Sequence, residues 1–422
     1  MKILLSAYAC EPGRGSEPGV GWRWAHELAI AGHEVVVLTR ANNQSVIRAA
    51  EANPSLRFVY YDLPWIFKKL KRGPKFAKFY YVLWQIGAYS TVRRLLRREL
   101  FELIHHLTFS DFRTYSPLVH LHVPFVIGPL GGAECAPPPL LRSLPIQARL
   151  TEHLRSLAIL AAQLNPLTRV MYRRAILILC KTPETLASVP NAKPENLRLS
   201  REIGSPETAT PSSLLSRAAA QEFNLIFAGR LVYWKGLHLA LKAYAIARQK
   251  NKALRFTIVG DGRDRTRLIA LAEELQLSES VSWHSHVPQQ QLFEIQQKAH
   301  AFIFPSLHDS GGSVVLEAFA QGLPVLCLRT GGPRLNVDES CGYRVPVQGK
   351  CEEEIVQELA AQILKWSSCR ETWLALARRA LEKSVEMSWR ATVEEAYSQI
   401  ETVISTYQPR KISQLRQEAM HS

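Results

Sequence analysis

The stretch PSLHDSGGSVVLEAFAQGLPVL, residues 305–326, follows a short apolar run typical of a buried strand and contains the start of a predicted helix. Its loop has no bulky side chain around Gly311 and Gly312, so a ligand can approach the backbone closely. The free N–H groups at a helix start attract phosphate. Asp309 and Glu317 would repel a diphosphate unless they face the sugar hydroxyls beside it, for which carboxylates are good acceptors. The stretch therefore predicts a site for a nucleotide sugar.

Apolar runs alternate with helical patterns along most of the chain, which predicts an α/β protein with doubly wound parallel sheets. One series of predicted strands covers residues 2–7, 35–39, 57–61, 103–105, 125–127 and 175–180. A second series covers residues 224–228, 255–259, 281–284, 301–304 and 325–328. Helical stretches at 236–250, 264–275 and 290–298 separate the strands of the second series. We therefore expect two Rossmann-like halves.

The best candidate for a linker is SPETATPSSLLSRAAA, residues 205–220, because it is rich in Ser, Pro, Thr and Ala and lacks strand periodicity. We accordingly predict an N-terminal domain over residues 1–204 and a C-terminal domain over residues 221–386. Residues 387–422 are assigned to a last amphipathic helix and a tail.

A chain of 422 residues is long enough for two domains of roughly 200 residues each. The seven cysteines are scattered and form no CxxC pair, which favours a reduced cytosolic location without a zinc site. The opening MKILLSAYACEPG turns polar too soon for a signal peptide, and no run of about 18 apolar residues exists. We therefore expect a cytoplasmic protein.

The net charge of +15 is concentrated in residues 68–98, which hold ten cations and no acid among many aromatic side chains. Such a segment suits adsorption to anionic lipid headgroups at the inner face of the membrane. The alternative is a solvated helix face over a core stripe. Nucleic-acid binding is disfavoured because no recognised module accompanies the segment. The cations are Lys68, Lys69, Lys71, Arg72, Lys75, Lys78, Arg93, Arg94, Arg97 and Arg98.

A second motif, FAGRLVYWKGLHLALKAY at residues 227–244, places Arg230 and Lys235 in a loop between a strand and a helix. Cations at such a loop can neutralise a leaving diphosphate without a metal ion. The chain has no Asp-x-Asp pair that would supply one. The alternative is that the two residues are surface cations without a ligand.

Together these motifs resemble those of the retaining, GT-B-fold glycosyltransferases of family 4. The family's Gly-Arg and Lys-Gly pairs match Gly229, Arg230, Lys235 and Gly236, and its acidic loop followed by Leu-Glu-Ala matches residues 309–318. This sequence has Asp309 where the family more often has Glu, and Gly311 where it usually has Phe, which affects the identity of the donor sugar. The similarity extends from residue 1 to about residue 400.

The resemblance implies two Rossmann-like domains that face a central cleft, with the last helix crossing back to the N-terminal domain. It also implies transfer with retention and without a metal. Arg230 and Lys235 would stabilise the departing diphosphate, and Glu317 would accept ribose hydroxyls. Asp309 would hold the donor sugar. The remaining donor-binding candidates are Gly15, Gly229, Gly262, Gly311, Gly312, Ser313 and Val314.

The segment EPGRGSEPGVGW, residues 11–22, also lies between a strand and a helix. Its glycines do not have the spacing of a dinucleotide fingerprint, and the strand that should end in an acid ends in Arg40, which disfavours NAD. By resemblance this loop contacts donor diphosphate or acceptor, with Gly15 on the donor side and Ser16 and Glu17 on the acceptor side. The alternative is a purely structural turn.

Three further loops follow predicted strands. His105 and His106 would point to opposite strand faces, so at most one can reach a ligand; the family's histidine at this place contacts the donor sugar, and we slightly favour His106. In the loop PLGGAE, Gly131, Gly132 and Glu134 either hold acceptor or only form a turn. The loop VGDGRDR, with Gly262, is expected near the nucleotide base, as are residues 284–287.

We therefore predict an enzyme that moves a sugar from a nucleotide-diphosphate sugar to a glycan or lipid-linked acceptor in cell-surface polysaccharide or glycolipid synthesis. The nucleotide of the donor is expected to be UDP or GDP. No cofactor and no metal are expected. Two alternatives remain open: a non-catalytic partner subunit of a transferase, and an epimerase or phosphorylase that acts on sugar nucleotides or sugar phosphates with the same fold.

Overall fold

The structure is a computed structural model that describes residues 1–50, 53–64, 74–208 and 212–407, without the side chains of residues 16, 74–78 and 212–213. The chain divides into two compact units. Unit one contains residues 1–133, 158–203 and the chain from Trp389. Unit two contains residues 134–157 and 204–388. Each unit is built around one parallel sheet.

The strands of unit one are β1 (Lys2–Ser6), β2 (Glu34–Arg40), β3 (Leu56–Tyr61), β4 (Leu103–His106), β5 (Phe125–Leu130), β6 (Leu177–Cys180) and β7 (Leu197–Leu199). They are parallel and lie in the order β3-β2-β1-β4-β5-β6-β7. Strands β4, β5 and β6 are buried throughout. Long apolar runs are expected of parallel strands that are covered on both faces.

The strands of unit two are β8 (Phe223–Ala228), β9 (Leu254–Val259), β10 (Val281–His284), β11 (Ala301–Phe304), β12 (Val325–Leu328) and β13 (Gly342–Val345). They are also parallel, in the order β10-β9-β8-β11-β12-β13. In both sheets the order reverses beside the first strand of the unit. Ligands of such sheets bind at the carboxyl ends of the strands, at this switch point.

The helices up to residue 188 are α1 (Ser16–Ile30), α2 (Gln44–Ala50), α3 (Pro74–Leu96), α4 (Pro138–Leu141), α5 (Ile146–Leu164), α6 (Pro166–Arg174) and α7 (Pro183–Ser188). Those that follow are α8 (Ser212–Ala218), α9 (Leu237–Lys250), α10 (Arg265–Glu274), α11 (Gln289–Gln296), α12 (Ser313–Ala320), α13 (Pro333–Asn336), α14 (Glu352–Ser368), α15 (Arg370–Glu386) and α16 (Trp389–Thr406).

The last helix, α16, belongs to unit one although the residues before it belong to unit two. Its buried face, with Val393, Ala396, Tyr397 and Ile400, lies in the same apolar cluster as Trp24 of α1. The periodicity of an amphipathic helix thus places one apolar stripe over the sheet of unit one. This agrees with the helix predicted after residue 387.

The predicted strands are present, and the sequence reasoning missed β7 and β13. The structure also differs from the predicted boundaries. Residues 205–220, predicted as a linker, contain α8 and are part of unit two. Residues 134–157, predicted in the N-terminal domain, are part of unit two as well. Within the described residues, no helix is both long and apolar enough to cross a bilayer.

Candidate nucleotide-sugar site

The loops after β8, β11 and β12 meet at the carboxyl edge of the sheet of unit two. Leu307 donates its N–H to the Trp234 carbonyl at 2.7 Å, and Gly332 donates its N–H to the Asp309 carbonyl at 2.7 Å. Gly236 lies in the left-handed region with φ 72°, and a Cβ there would be 1.8 Å from the Pro305 carbonyl oxygen. Only glycine allows this contact, which fixes the loop that carries Lys235 against the loop that carries Asp309.

Lys235 and Asp309 form an ion pair in which both side chains are mostly buried, at 15% and 16% exposure. The Asp309 carboxylate also accepts the N–H groups of Gly311 and Gly312, each at 3.2 Å. Burial raises the pKa of Asp309, but the Lys235 ammonium and these backbone donors prevail and hold it below its usual value. Asp309 therefore orients the lysine and the glycine loop together.

Helix α12 begins directly after this loop, with Gly312 as its N-cap residue at φ 64°. The first N–H groups of a helix lack intrahelical acceptors, and the helix dipole adds partial positive charge at this end. Ser313 and Val314, both partly exposed, carry two of these N–H groups. An anion can therefore be held by the backbone at this point without a further side chain.

Glu317 lies one turn inside α12 and is partly buried. Burial raises the pKa of its carboxyl to about 7. Within the described part of the chain, no hydrogen bond or ion pair involves this side chain. A buried carboxyl without a partner is costly, and ligand hydroxyls would satisfy it.

Two arginines lie over the aromatic side chains of the loop after β8. The Arg230 guanidinium, on an exposed residue, is 5.9 Å from the centre of the Trp234 ring. The Arg263 guanidinium lies 5.3 Å from the Tyr233 ring and 5.4 Å from the Trp234 ring. Cations over aromatic faces are held without an acid that would neutralise them. Positive charge therefore remains available to a ligand.

Glu152 of α5 bonds to a residue of the loop after β8 and to a residue of the loop after β11. Its Oε1 atom accepts from the Tyr233 hydroxyl at 2.6 Å and is 3.0 Å from His308 Nε2. Its Oε2 atom accepts the Ala136 N–H at 3.2 Å. Burial opposes the charged form, but the bonds from His308 and Tyr233 prevail and lower the pKa of Glu152 to about 2. Tyr233 and His308 are thus fixed two residues before Lys235 and one before Asp309.

Gly229 and Gly262, predicted to contact the donor, lie where the loops after β8 and β9 touch. A Cβ at Gly262 would be 2.3 Å from the Leu231 carbonyl oxygen, so packing alone requires glycine there. Leu231 in turn accepts the Asp264 N–H at 3.0 Å. Gly229 is partly exposed at the end of β8. The structure gives Gly262 a packing role, and its predicted donor contact stays a prediction.

His105 and His106 lie at the end of β4 in unit one and point to opposite faces, as predicted. His105 is fully buried. Its Nε2 donates to the Gly128 carbonyl at 2.9 Å, so its Nδ1 accepts from the Tyr397 hydroxyl at 3.1 Å. His106 is 2% exposed, and its Nε2 is 3.0 Å from the Tyr81 hydroxyl. Burial lowers the pKa of His105 to about 4 and that of His106 to about 3.

The candidates of the segment 11–22, which are Gly15, Ser16 and Glu17, lie at the start of α1. Gly15 is its N-cap residue in an extended conformation. Glu17 accepts the N–H of Phe109 at 2.9 Å, and Phe109 has a positive φ of 58°, which is unusual for a bulky residue. Glu17 thus supports a strained turn after β4. The side chain of Ser16 lies outside the described residues.

The PLGGAE loop divides between the units. Gly131 and Gly132 follow β5 in unit one, where Gly131 pairs with Asp111 in an isolated bridge. Glu134 is in unit two, is 3% exposed, and accepts Arg155 Nε on its backbone carbonyl at 2.6 Å. Their predicted role in acceptor binding stays a prediction.

The sequence analysis missed Tyr233, Trp234 and His308. Tyr233 and Trp234 directly precede Lys235, and His308 directly precedes Asp309. Also missed was Glu152, for which no local signal exists because it comes from a distant helix. Among the described residues, no cluster of three or more His, Cys, Asp or Glu side chains could hold a metal ion.

Comparisons with known proteins give a family match for part of the chain and a shared fold. Residues 216–383 match the family model of glycosyl transferases group 1. The match lies within the 204–388 segment of unit two and includes the loops of Lys235 and Asp309. Over 177 residues the chain is 33% identical to the D-inositol 3-phosphate glycosyltransferase of Corynebacterium urealyticum, covering 40% of each protein. The chain thus aligns with about two fifths of the length of this curated relative.

Two solved structures share the fold over nearly the whole chain. WaaG, a glycosyltransferase involved in lipopolysaccharide biosynthesis, has a TM-score of 0.58 at 17% identity and covers 93% of this chain and 98% of its own. HepE of Anabaena in complex with UDP has a TM-score of 0.59 at 16% identity and covers 95% of this chain and 100% of its own. The predicted fold class, two Rossmann-like domains of the GT-B type, is confirmed.

Proposed function

We propose that the protein is a retaining, metal-independent glycosyltransferase that transfers a hexose from a UDP- or GDP-sugar to a glycan or lipid-linked acceptor in cell-surface polysaccharide or glycolipid synthesis. The observation that carries the proposal is the carboxyl edge of unit two. There the ion-paired Lys235, the open start of α12 and Glu317, whose carboxyl has no partner among the described residues, lie beyond the ends of the neighbouring strands β8 and β11. The family match over 216–383 and the UDP bound by HepE support this donor class.

In this proposal the diphosphate lies at the start of α12, where the N–H groups of Ser313 and Val314 and the helix dipole face it. Lys235 has three N–H donors, so it can keep Asp309 as one acceptor and give another donor to the phosphate. Arg230, in the same loop as Lys235, adds further positive charge. These groups stabilise the negative charge that develops as the diphosphate leaves.

The sugars of the donor use the two carboxylates differently. Glu317 accepts the ribose hydroxyls, which relieves the cost of its burial. The Asp309 carboxylate and the backbone of Gly311 and Gly312, which it positions, hold the transferred sugar. The acceptor hydroxyl attacks on the face from which the diphosphate leaves, and a departing phosphate oxygen takes its proton. The anomeric carbon exchanges one oxygen for another with retention.

Association with the inner face of the membrane through residues 68–98 is a further part of the proposal. Residues 65–73 and the side chains of 74–78 lie outside the described structure, and with them six of the ten predicted cations. The described part of α3 exposes Phe79, Val82 and Ile86 at 55%, 50% and 60%, which are spaced to share one helix face. Arg93 and Arg94 follow in its last turn.

The proposed function is tested by thermal unfolding with UDP, GDP, ADP and their sugars in the presence of EDTA. A ligand that binds the folded state raises the melting temperature by mass action. We expect a rise with UDP or GDP, and release of that nucleotide from its sugar when an acceptor extract is added. If no nucleotide or nucleotide sugar in the panel shifts the melting temperature, the donor site as described is wrong.

A further inference from the structure

Phe109, in the loop after β4 of unit one, has a backbone conformation that is unusual for its type, with φ 58°. Among the described residues, the other non-glycine residues with a positive φ are the polar Asn191 and Gln276. A Cβ is crowded in this region, and a bulky residue there is an outlier. Such outliers persist where the surrounding structure fixes them, and they cluster at functional sites. A glycine would adopt this conformation without strain, so the aromatic ring itself is the feature to explain.

Two segments that the sequence predicts to hold the acceptor fix this conformation. Glu17, at the start of α1, accepts the Phe109 N–H at 2.9 Å. On the other side, the loop after β5 pairs with the chain that follows Phe109. Gly131 donates its N–H to the Ser110 carbonyl, and Phe112 donates its N–H to the Gly131 carbonyl, each at 3.0 Å. Phe109 therefore lies where these two segments of unit one meet.

The Phe109 ring is partly exposed and is supported by two buried rings. Its centre is 4.9 Å from that of Tyr8 and 5.2 Å from that of Tyr81. His105 and His106, at the end of β4, are buried. At this edge of the sheet a ligand can therefore reach the Phe109 ring and not the histidines.

The same loop supplies polar groups through Asp111 and Arg113, whose side chains are 29% and 26% exposed. The Arg113 backbone N–H and its Nε donate to the Asp111 Oδ1 atom at 3.0 Å and 2.7 Å. Gly132, a predicted acceptor residue, lies against this carboxylate, because a Cβ there would be 3.0 Å from Oδ1. A carboxylate has about four acceptor positions and a guanidinium has five N–H donors, so this pair can also bond to hydroxyl groups of a ligand.

We propose that Phe109 is the platform on which a pyranose ring at the reacting end of the acceptor stacks. The proposal depends on the proposed function and narrows its acceptor to one that ends in a sugar. The face of an aromatic ring carries partial negative charge, and the C–H groups on one face of a pyranose carry partial positive charge. Asp111 and Arg113 bond to the hydroxyls at the edge of the sugar. Ligand sites commonly combine aromatic walls with a few such polar groups.

Saturation-transfer NMR titration of the full chain tests the proposal without any nucleotide. The probes are the methyl pyranosides of glucose, galactose, mannose and N-acetylglucosamine, with glycerol 3-phosphate as the probe that has no sugar ring. We expect wild type to bind at least one pyranoside more tightly than glycerol 3-phosphate. Phe109→Leu should weaken this binding about tenfold, the scale of one aromatic contact, and Phe109→Tyr, which keeps the ring, should stay within about twofold. Phe58→Leu, which removes a partly exposed ring from β3 of the same unit, is the matched control and should bind like wild type.

Two further measurements separate a ligand platform from a ring that only packs. Phe109→Gly and Phe109→Ala both lack the ring, but only glycine takes a φ of 58° without strain, so the glycine variant should have the higher melting temperature of the two. Both should nevertheless lose pyranoside binding as Phe109→Leu does. Calorimetric titration of UDP and GDP should give wild type and Phe109→Leu the same nucleotide affinity.

The proposal is overturned if wild type binds no pyranoside, if Phe109→Leu binds pyranosides like wild type, or if this variant loses nucleotide affinity as well. Its failure is distinct from that of the proposed function. Wild type that binds a pyranoside through Phe109 but no nucleotide would keep the sugar platform and remove the transfer reaction, whereas nucleotide binding without pyranoside binding would keep the donor site and remove the platform.

Discussion

Strands β4 and β11 occupy the same place in their sheets, each beside the first strand of its unit, yet the chain after them is built in opposite ways. After β11, glycines and a helix start leave Asp309 and Glu317 partly exposed, and Asp309 pairs with Lys235 of the loop after β8. At the end of β4, His105 and His106 are buried and bonded to Tyr397 and Tyr81. One fold position thus carries a candidate ligand site in unit two and buried polar side chains in unit one.

The difference shows that topology places a candidate site while local side chains decide whether a ligand can reach it. Bulky Phe109 follows β4, whereas Gly311 and Gly312 follow β11. If substitution of His105 or His106 lowered donor binding or turnover as much as substitutions in the loop after β11, this difference would not hold.

The largest expected effect is on turnover. Lys235→Ala and Arg230→Ala should each lower turnover at saturating donor at least about 100-fold, the usual scale for removal of one preorganised charge-stabilising group. Lys298→Ala, which removes an exposed cation on another loop of unit two, is the matched control. Initial rates measure turnover, and melting temperatures show whether each variant is folded. Near-normal turnover in either site variant would remove the assignment of these cations to the diphosphate.

A second expected effect separates binding from stability at Glu317. Its pKa is about 7 in the folded protein, above the ordinary value of 4.5, so ionisation destabilises the fold as the pH rises through this window. Glu317→Gln should therefore raise the melting temperature relative to wild type at pH 8 more than at pH 5. It should also weaken donor binding about tenfold, because a charged acceptor of hydroxyl groups is lost.

Equal stability differences at pH 8 and pH 5 would show that Glu317 is not held at a raised pKa. Unchanged donor affinity would show that it does not contact the ribose.

The β4 histidines should affect the pH dependence of stability more than the chemistry. Their folded pKa values of about 4 and 3 lie below the ordinary 6.5, so the folded protein resists their protonation. Stability from the neutral histidines is complete above pH 6.5 and is lost as the pH falls toward 4. His105→Gln should flatten this acid limb and leave donor affinity within about twofold. A loss of donor affinity without a change in the acid limb would place His105 in the ligand site.

The fold was predictable because its signals are local. Parallel strands buried on both faces are continuous apolar runs, as in β5 and β12, and helical periodicity separates them. The short strand β7, with two of its three residues exposed, carries no such run. Helix α8 was read as a linker because its Ser, Pro and Ala content is also typical of loops.

Residues of the site were predictable where they lie in one loop and not where tertiary contacts decide. Lys235 and Asp309 each belong to a short motif, and the structure joins them. Glu152 of α5 bonds to their neighbours Tyr233 and His308, which no spacing in the sequence indicates. The burial of His105 depends on Tyr397, which lies 292 residues away in the chain.

The smallest expected effect is that of a chelator. If Lys235, Arg230 and the start of α12 carry the leaving-group charge, EDTA should change turnover less than about twofold. Initial rates with EDTA, and with magnesium or manganese restored, measure this. Loss of turnover in EDTA that either metal restores would contradict a metal-independent site.

The most direct test of the central claim is calorimetric titration of UDP and GDP into wild type, Lys235→Ala and Lys298→Ala, all in EDTA. We predict that wild type and Lys298→Ala bind at least one nucleotide with equal affinity. Lys235→Ala should bind that nucleotide at least about tenfold more weakly, as expected for the loss of a charge-assisted hydrogen bond to phosphate. Failure of wild type to bind either nucleotide, or unchanged affinity in Lys235→Ala, would contradict the assignment of the diphosphate to the carboxyl edge of unit two.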